Sequence, residues 1–465
     1  MKLSILAVLA LAHTGLSSPV PDVEPRQSTQ QTAKVDLSTN LGSPKHLASG
    51  FIYGIPDTAN QIPDHFYQNI GFNYARAGGA QLGSPARGWI WGEYQGRLQS
   101  TLSNYRTARK YGAAFILLPH DIWGTDQANS STVWPGDNGN WADWDKYVKQ
   151  LMADLKANNA LQGLVWDIWN EPEGSFFWQR SQQQWLDLYV RTHKLIRANT
   201  AFNAVQISGP TLASPPDPNS NWWTNWCSQA KGNNTIPDQY AYHLEAGINN
   251  VDDDPQTANT NLNGLLSRFG LPQRTVNVNE YAVQAEQVPS GAAWWISRLE
   301  RYSMIGLRGN WLSGTELHDL MANLVTKSNP SNYASKDYSP APEYPVYQYY
   351  NLNMTGHRVA STGSPDRQLD AYAVVGSDKV RILVGVRVAT GIWELEIDNL
   401  SSIGLPASGS ITVQTYAFPG GANVFSVAPA TQNQGTYTHT YSGNSLSFPI
   451  YQKDTATAYA FEFAV

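Results

Sequence analysis

One cysteine serves the whole chain of 465 residues, so no internal disulfide can form and no cysteine-based metal site can be assembled. That residue, Cys227, is expected to be a buried, inert thiol. Charge is also scarce: Asp, Glu, Lys and Arg make up 15% of the chain, the formal net charge is −6, and no basic run occurs. Nucleic acid is thereby excluded as a partner. Beyond the first residues no apolar run approaches the roughly 18 positions that a membrane span needs. No glycine-rich phosphate loop follows the first strand-like run, and no two histidines lie at ligand spacing with a carboxylate. Nucleotide, cofactor and metal-dependent chemistry have no motif to stand on. Nothing in the chain demands an oligomer, and a monomer is expected.

What the chain has in excess is aromatic: 17 Trp and 24 Tyr, within an ordered globular composition that is 42% apolar. About half of these rings are expected to fill a core. The rest fall in loops, where flat faces can stack on sugar rings and Trp N–H groups can hydrogen-bond. The start of the chain, Met1-Lys2 followed by an apolar stretch over 3–12 and small residues Ser17-Ser18, is a secretory signal over 1–18. Pro25-Arg26-Gln27 fits a processing site that ends a propeptide over 19–26. The protein is therefore expected to be secreted and extracellular. The sequons at Asn129, Asn233, Asn353 and Asn399 suit that route.

The order of patterns points to an α/β fold, a (β/α)8 barrel with an accessory antiparallel β-sandwich. A short alternating run at Lys34-Val35-Asp36-Leu37-Ser38, within 27–48, reads as a strand that pairs elsewhere. Eight strand-like segments follow over 49–350, at 50–53, 74–77, 113–119, 164–169, 204–208, 239–244, 276–279 and 309–312. Helical spacing intervenes at 144–156, 181–197, 262–269 and 292–305. Repeated strand and helix over this length favour the closed barrel over an open sheet. From 351 to 465 helical periodicity gives way to short alternating runs separated by turns, the texture of a sandwich. The early strand is expected to join that sandwich, whose default role is to support the barrel.

Two strand-like runs carry the chemistry. Val165-Trp166-Asp167-Ile168-Trp169-Asn170-Glu171-Pro172-Glu173 is apolar until it closes on a carboxylate. Pro172 cannot donate to a ladder and biases Glu171 toward an extended backbone, so the strand should stop there. Thr275-Val276-Asn277-Val278-Asn279-Glu280 also ends on a glutamate. In a parallel barrel, that end of the strands is where active sites lie. Two carboxyl groups there, about 5–5.5 Å apart, are the minimum for cleaving a glycosidic bond with retention. Glu171 suits the acid/base, its pKa held up by burial or by the second carboxylate, and Glu280 suits the nucleophile. Asn170 is placed to bond a sugar 2-hydroxyl. Glu173 is expected to be solvent-exposed.

Trp169-Asn170-Glu171-Pro172 on the fourth strand and Asn279-Glu280 on the seventh resemble glycoside hydrolase clan A. Its members are (β/α)8 barrels whose acid/base and nucleophile follow those strands. The resemblance implies these roles for Glu171 and Glu280. An N-terminal strand with a C-terminal sandwich is most like family 39 of that clan, in a secreted, fungal-type form; families 79, 30 and 51 have similar sandwiches. By the same resemblance, Arg76 at the end of the second strand would stand against the nucleophile and lower its pKa. His120-Asp121, closing the third strand, could bond sugar hydroxyls. The clan often carries His-x-Tyr at the sixth strand end, its tyrosine touching the nucleophile. This chain reads Tyr242-His243-Leu244-Glu245 instead, so His243 fits, Glu245 takes the tyrosine's place and Tyr242 precedes the histidine. Trp311, read as the end of the eighth strand, would be the platform beneath the sugar.

The loop tryptophans and phenylalanines Trp89, Trp91, Trp123, Trp134, Phe176 to Trp178, Trp222, Trp223 and Trp226 are expected to wall a cleft for a neutral oligosaccharide or polysaccharide. Three functions compete: a retaining hydrolase of a plant or microbial wall glycan, a transglycosylase or inverting hydrolase on the same barrel, and a non-catalytic carbohydrate-binding protein.

Overall fold

The computed structural model describes residues 31–250 and 252–465. The signal and propeptide expected over 1–26 lie outside the described residues. Eight parallel strands close into a barrel: β2 (Gly50–Ile52), β3 (Tyr74–Ala77), β4 (Ala114–Leu117), β5 (Leu164–Asp167), β6 (Gln206–Leu212), β7 (Gln239–Leu244), β8 (Thr275–Tyr281) and β9 (Met304–Arg308). Around them run α1 (Asp64–Asn69), α2 (Tyr94–Lys110), α3 (Pro119–Trp123), α4 (Ala142–Ala157), α5 (Gln182–Arg197), α6 (Asn221–Gly232), α7 (Pro255–Phe269) and α8 (Pro289–Arg301). All four residues of β5 are buried, as expected for a strand covered on both faces. The helix ends follow local chemistry. Ser181 Oγ accepts from Gln184 N at the start of α5, and α7 opens on Asp254 and Pro255 and stops at Gly270, φ +62°. Among the described residues no helix is long and apolar enough to cross a membrane.

The eighth strand is not where the sequence suggested. Helical spacing across 292–305 and an apolar 309–312 placed it too late; α8 ends at Arg301 and β9 spans Met304–Arg308. Tyr302 caps the helix and Ser303 takes φ +54°, which breaks the pattern and turns the chain into the strand.

After α9 (Gly314–Leu317), a small pair β10 (Val325–Thr326) and β11 (Ser339–Pro340), and α10 (Tyr344–Leu352), the chain enters two sheets. These hold β12 (His357–Arg358), β13 (Ala360–Thr362), β14 (Leu369–Val375), β15 (Lys379–Val386), β16 (Gly391–Asp398), β17 (Gly409–Phe418), β18 (Gln432–Tyr441), β19 (Ser445–Gln452) and β20 (Ala458–Ala464). One sheet has order β12-β14-β15-β20-β17-β18. The other runs β13-β1-β16-β19, where β1 (Thr32–Asp36) lies parallel to β16 and antiparallel to β13. The early strand thus pairs inside the C-terminal module. Val35, Ile382, Leu395, Ile397, Phe448 and Phe463 fill the space between the sheets.

Helix α8 joins the two modules. Its backbone lies directly on β15: a Cβ at Gly385 would come within 2.2 Å of Ser290 O and 2.6 Å of Trp294 N. Arg387, just past β15, donates to Glu286 Oε1 (2.5 Å) and Asp253 Oδ2 (3.0 Å), with its guanidinium over Trp294 and Trp295. Asp253 and Glu286 lie on the loops that follow β7 and β8. The sandwich therefore pins the loops that follow β7 and β8, the latter being the strand that carries Glu280.

Most tryptophans serve the core. Trp123, Trp134, Trp178, Trp223 and Trp226, expected to wall a cleft, are buried together with Trp144, Trp166, Trp169, Trp185, Trp294 and Trp295. Only Trp134, Trp169 and Trp178 of these lie in loops; the others sit on helices or, for Trp166, on β5, and all pack into the barrel's core, where one ring buries up to about 250 Å². Trp89, Trp91 and Trp222 are half-buried, while Phe176 and Trp311 are exposed.

Candidate active site

A parallel strand that is buried on both faces leaves only its carboxyl end free to present polar groups. At that end of β3, Arg76 is fully buried and therefore needs anions. It finds Asp167 at the end of β5 (Nη2 to Oδ2, 2.9 Å; Nε to Oδ2, 3.2 Å), Glu280 on β8, and the Asn170 side-chain oxygen (2.6 Å). Thr211 Oγ1 and Asn279 Nδ2 donate to the same Asp167 carboxylate at 2.6 and 3.0 Å. Asp167 was overlooked in the sequence, although a carboxylate inside an apolar strand signals a buried cation beside it.

His243, on β7, links the two glutamates. Its Nδ1 lies 2.7 Å from Glu171 Oε1 and its Nε2 lies 3.5 Å from Glu280 Oε1. One imidazole thus spans both carboxylates. Burial works against the charged ring, but Glu280 and Glu171 outweigh it and raise the His243 pKa above its ordinary value. Burial likewise opposes the Glu171 carboxylate. The His243 hydrogen bond and the charges of His243, Arg76 and His120 prevail, holding its pKa below the usual glutamate value. The sequence reading expected the opposite, a carboxyl held up by its surroundings. Both shifts favour the charged forms, imidazolium at His243 and carboxylate at Glu171.

Glu171 also departs from the extended backbone that Pro172 was expected to impose. Its φ is +42°, with its N–H bonded to Thr211 O (2.9 Å) and its carbonyl accepting from Gly174 N (2.9 Å). These two bonds close a turn right after Asn170, and β5 has already ended at Asp167. Tyr53, Thr211 and Ala282, at other strand ends of the same mouth, also have positive φ. Non-glycine residues in that region are uncommon and gather where a side chain must be aimed.

The remaining candidates divide. Asn170 spends its oxygen on Arg76, and its amide N–H2 has no partner among the described residues, so a donor is left for a ligand. His120 sits on α3 rather than at a strand end. Its Nε2 faces Asp121 Oδ1 at 3.1 Å, and its buried Nδ1 is unpartnered. Asp121 is held by Tyr53, whose hydroxyl donates to it (2.5 Å) and accepts from Gly78 and Ala80 N–H. Glu245 reaches the mouth beside Glu171 and His243. Trp311 lies in the loop after β9; its Nε1 donates to Ala282 O (3.0 Å), which anchors a ring that is 44% exposed.

Tyr242 does not belong to the site. It packs against Trp223, and its buried hydroxyl faces Met304 Sδ at 3.7 Å. Side chains alternate along a strand, so His243 pointing inward sends Tyr242 outward. Glu173 is not solvent-exposed either. Oε1 accepts from Ser214 N (3.0 Å), while Oε2 is buried without a partner; burial and the nearby Glu171 raise its pKa. Cys227 is buried and its thiol is pushed up to about 12 by desolvation. Glu171, His243 and Glu245 form one group that could gather round a metal ion. With Nδ1 already bonded to Glu171, a cation there would have to replace that hydrogen bond.

No family model matches the chain, and no curated protein does. Solved structures do match. N2152 from Neocallimastix frontalis has a TM-score of 0.73 at 19% identity, covering 93% of this chain and 99% of that one. A GH39 enzyme from Xanthomonas axonopodis pv. citri has a TM-score of 0.56 at 14% identity, covering 96% and 99%. A GH30 endoxylanase from Clostridium papyrosolvens C71 has 0.54 at 16%, covering 93% and 100%. At these identities the likeness is one of fold: a closed parallel barrel with an accessory sandwich.

Proposed function

We propose that the chain is a secreted, monomeric glycoside hydrolase of clan A that cleaves a neutral wall oligosaccharide or polysaccharide with retention. The observation that carries this reading is the pair of strand-end glutamates tied to one histidine, Glu171 at 2.7 Å and Glu280 at 3.5 Å from opposite nitrogens of His243. Two proteins of like fold, a GH39 enzyme and a GH30 endoxylanase, are in keeping with it. They stand at similar TM-scores, so weight rests on the clan more than on family 39.

In the first step, Glu280 attacks the anomeric carbon. Its ion pair with Arg76 keeps the attacking group aimed while Asp167 neutralises the other face of the guanidinium. The departing oxygen takes a proton from Glu171. Because the Glu171–His243 pair shares one proton, that proton must first pass from His243 Nδ1 to Glu171, which then delivers it to the leaving oxygen. The amide of Asn170 is free to bond a hydroxyl of the sugar, a contact that strengthens as charge develops. In the second step Glu171, now a carboxylate, draws a proton from water, and that water displaces Glu280.

The test is a panel of aryl glycosides and wall polysaccharides, followed by NMR of the first-formed sugar. Release of the substrate's own anomer supports the proposal. The opposite anomer would mean an inverting hydrolase. Glycan binding with no turnover would mean a carbohydrate-binding protein.

A further inference from the structure

Glu245 follows the last residue of β7, Leu244, and points to the same side as His243. One of its carboxyl oxygens lies within 4.8 Å of both a Glu171 oxygen and a His243 nitrogen. Yet among the described residues it makes no hydrogen bond and no ion pair, unlike Glu171, Glu280 and Asp167. Its space is reserved: a Cβ at Gly309 would stand 2.0 Å from Glu245 Oε1. The Gly309 backbone cannot drift away, since its N–H bonds Tyr281 O (2.9 Å) and its carbonyl accepts from Gln287 Nε2 (2.7 Å).

A carboxyl oxygen within 4.8 Å of the acid/base lies within reach of an oxygen that both could hold. Two hydrogen bonds of about 2.8 Å that meet on one tetrahedral oxygen span about 4.6 Å. That span lies inside the 4.8 Å limit on the Glu171 and Glu245 oxygens, so one water oxygen, or one sugar hydroxyl, can be shared by the two. We propose that Glu245 is the second hand on the attacking water: with Glu171 it holds the oxygen that frees the sugar from Glu280. This rests on the glycosidase reading above.

Glu171 removes one water proton, the water oxygen bonds the anomeric carbon, and the bond from that carbon to Glu280 breaks, returning its electron pair to the Glu280 carboxylate. The second water hydrogen is held by the Glu245 carbonyl oxygen and stays on the product hydroxyl. The charges facing Glu245 suit this role. Burial first, then Glu280, Glu171 and Asp253, with Arg76 opposing, push its carboxyl well above the ordinary range. His243 is the other titratable group beside it. A neutral Glu245 offers an acceptor without adding a third anion beside Glu171 and Glu280.

The experiment uses an activated aryl glycoside, for which the second step limits turnover, and compares wild type with Glu245→Gln and Glu245→Ala in rapid-mix kinetics. Glu245→Ala should lower the steady-state rate by about 10- to 100-fold while the burst rate changes less than about threefold, with KM falling in parallel. Glu245→Gln keeps the carbonyl and the neutrality and should retain most of the steady-state rate. Azide, which needs no proton removed, should restore turnover in Glu245→Ala. Equal losses in burst and steady state, a glutamine variant as slow as the alanine one, or no loss at all would overturn the inference. A wild type inactive on every glycoside would instead remove the parent reading, and this inference with it.

Discussion

Two of the clusters of buried charge in the molecule are built differently. At the seam between barrel and sandwich, Arg298, Arg301, Arg367 and Arg387 face Asp253, Asp254, Glu286 and Asp370, roofed by the Trp294 and Trp295 rings. At the barrel mouth, Arg76 and His243, with His120 nearby, face the larger set Asp167, Glu171, Glu280 and Glu245. Cation and anion are matched at the seam and mismatched at the mouth. Burying an ion pair rarely adds stability, but leaving one half of it alone is costly. The seam therefore behaves as a fastener, whereas the mouth keeps surplus carboxyl groups that only a substrate or a transferred proton can satisfy. Function is legible in what the fold leaves unmatched.

The largest effect should separate the two clusters outright. Glu280→Gln and Glu171→Gln should each cut turnover by about three orders of magnitude or more. Their melting temperatures should hold or rise, because each removes charge from a crowded place. Turnover on an activated aryl glycoside should spare the first step of Glu171→Gln, since a good leaving group needs little protonation. A melting temperature that collapses along with activity would erase the distinction between mouth and seam.

Arg387→Ala should do the reverse. It strands Asp253 and Glu286 in the seam and should lower stability by about 3–5 kcal/mol in urea unfolding, with a smaller loss of turnover in the protein that stays folded. Little change in the unfolding midpoint would show the seam to be ornamental.

The seam should also respond to pH. Burial, with Glu286 adding and Arg387 opposing, pushes Asp253 up to about 6 from its ordinary 3.8. An acid whose folded pKa is raised contributes stability that is present below the unfolded value and lost as pH rises through the folded one. Between about pH 4 and 6 the wild type should therefore lose about 2–3 kcal/mol that Asp253→Asn does not lose. Parallel stability curves for the two proteins would contradict the shift.

The smallest expected effect concerns the tryptophans. Trp311→Ala should raise KM about tenfold and leave the fold intact, as removal of one stacking ring would. Trp169→Ala, a core ring, should cost about 3–5 kcal/mol of stability instead. If Trp311→Ala melts early and binds normally, the ring is packing and not a platform.

Much of this was legible in the chain. The bounds of β3, β7, β14 and β15 follow from alternation and flanking turn residues. Glu171 and Glu280 stood out because each closes an apolar run. Other features depended on long-range contacts. Helical spacing ran on past Arg301 because Met304 and Ile305 are apolar for a strand's reasons, not a helix's. Glu171 has a left-handed backbone because Thr211, on the neighbouring strand β6, takes its N–H. The low pKa of Glu171 depends on a histidine 72 positions away. Trp123, Trp223 and Trp226 were taken for cleft walls because they were read as loop residues, whereas they ride on α3 and α6 with their rings in the core. Tyr242, by contrast, was kept as a candidate although strand alternation could have excluded it once His243 was taken as inward.

The most direct measurement is to trap the covalent intermediate. Wild-type protein is incubated with a panel of activated 2-deoxy-2-fluoro glycosides, weighed by mass spectrometry and mapped by peptide. The account predicts one sugar bound per chain, on the peptide at Glu280, and no labelling of Glu280→Gln. A label on another residue, or turnover of the parent glycosides with no trapped intermediate, would contradict it.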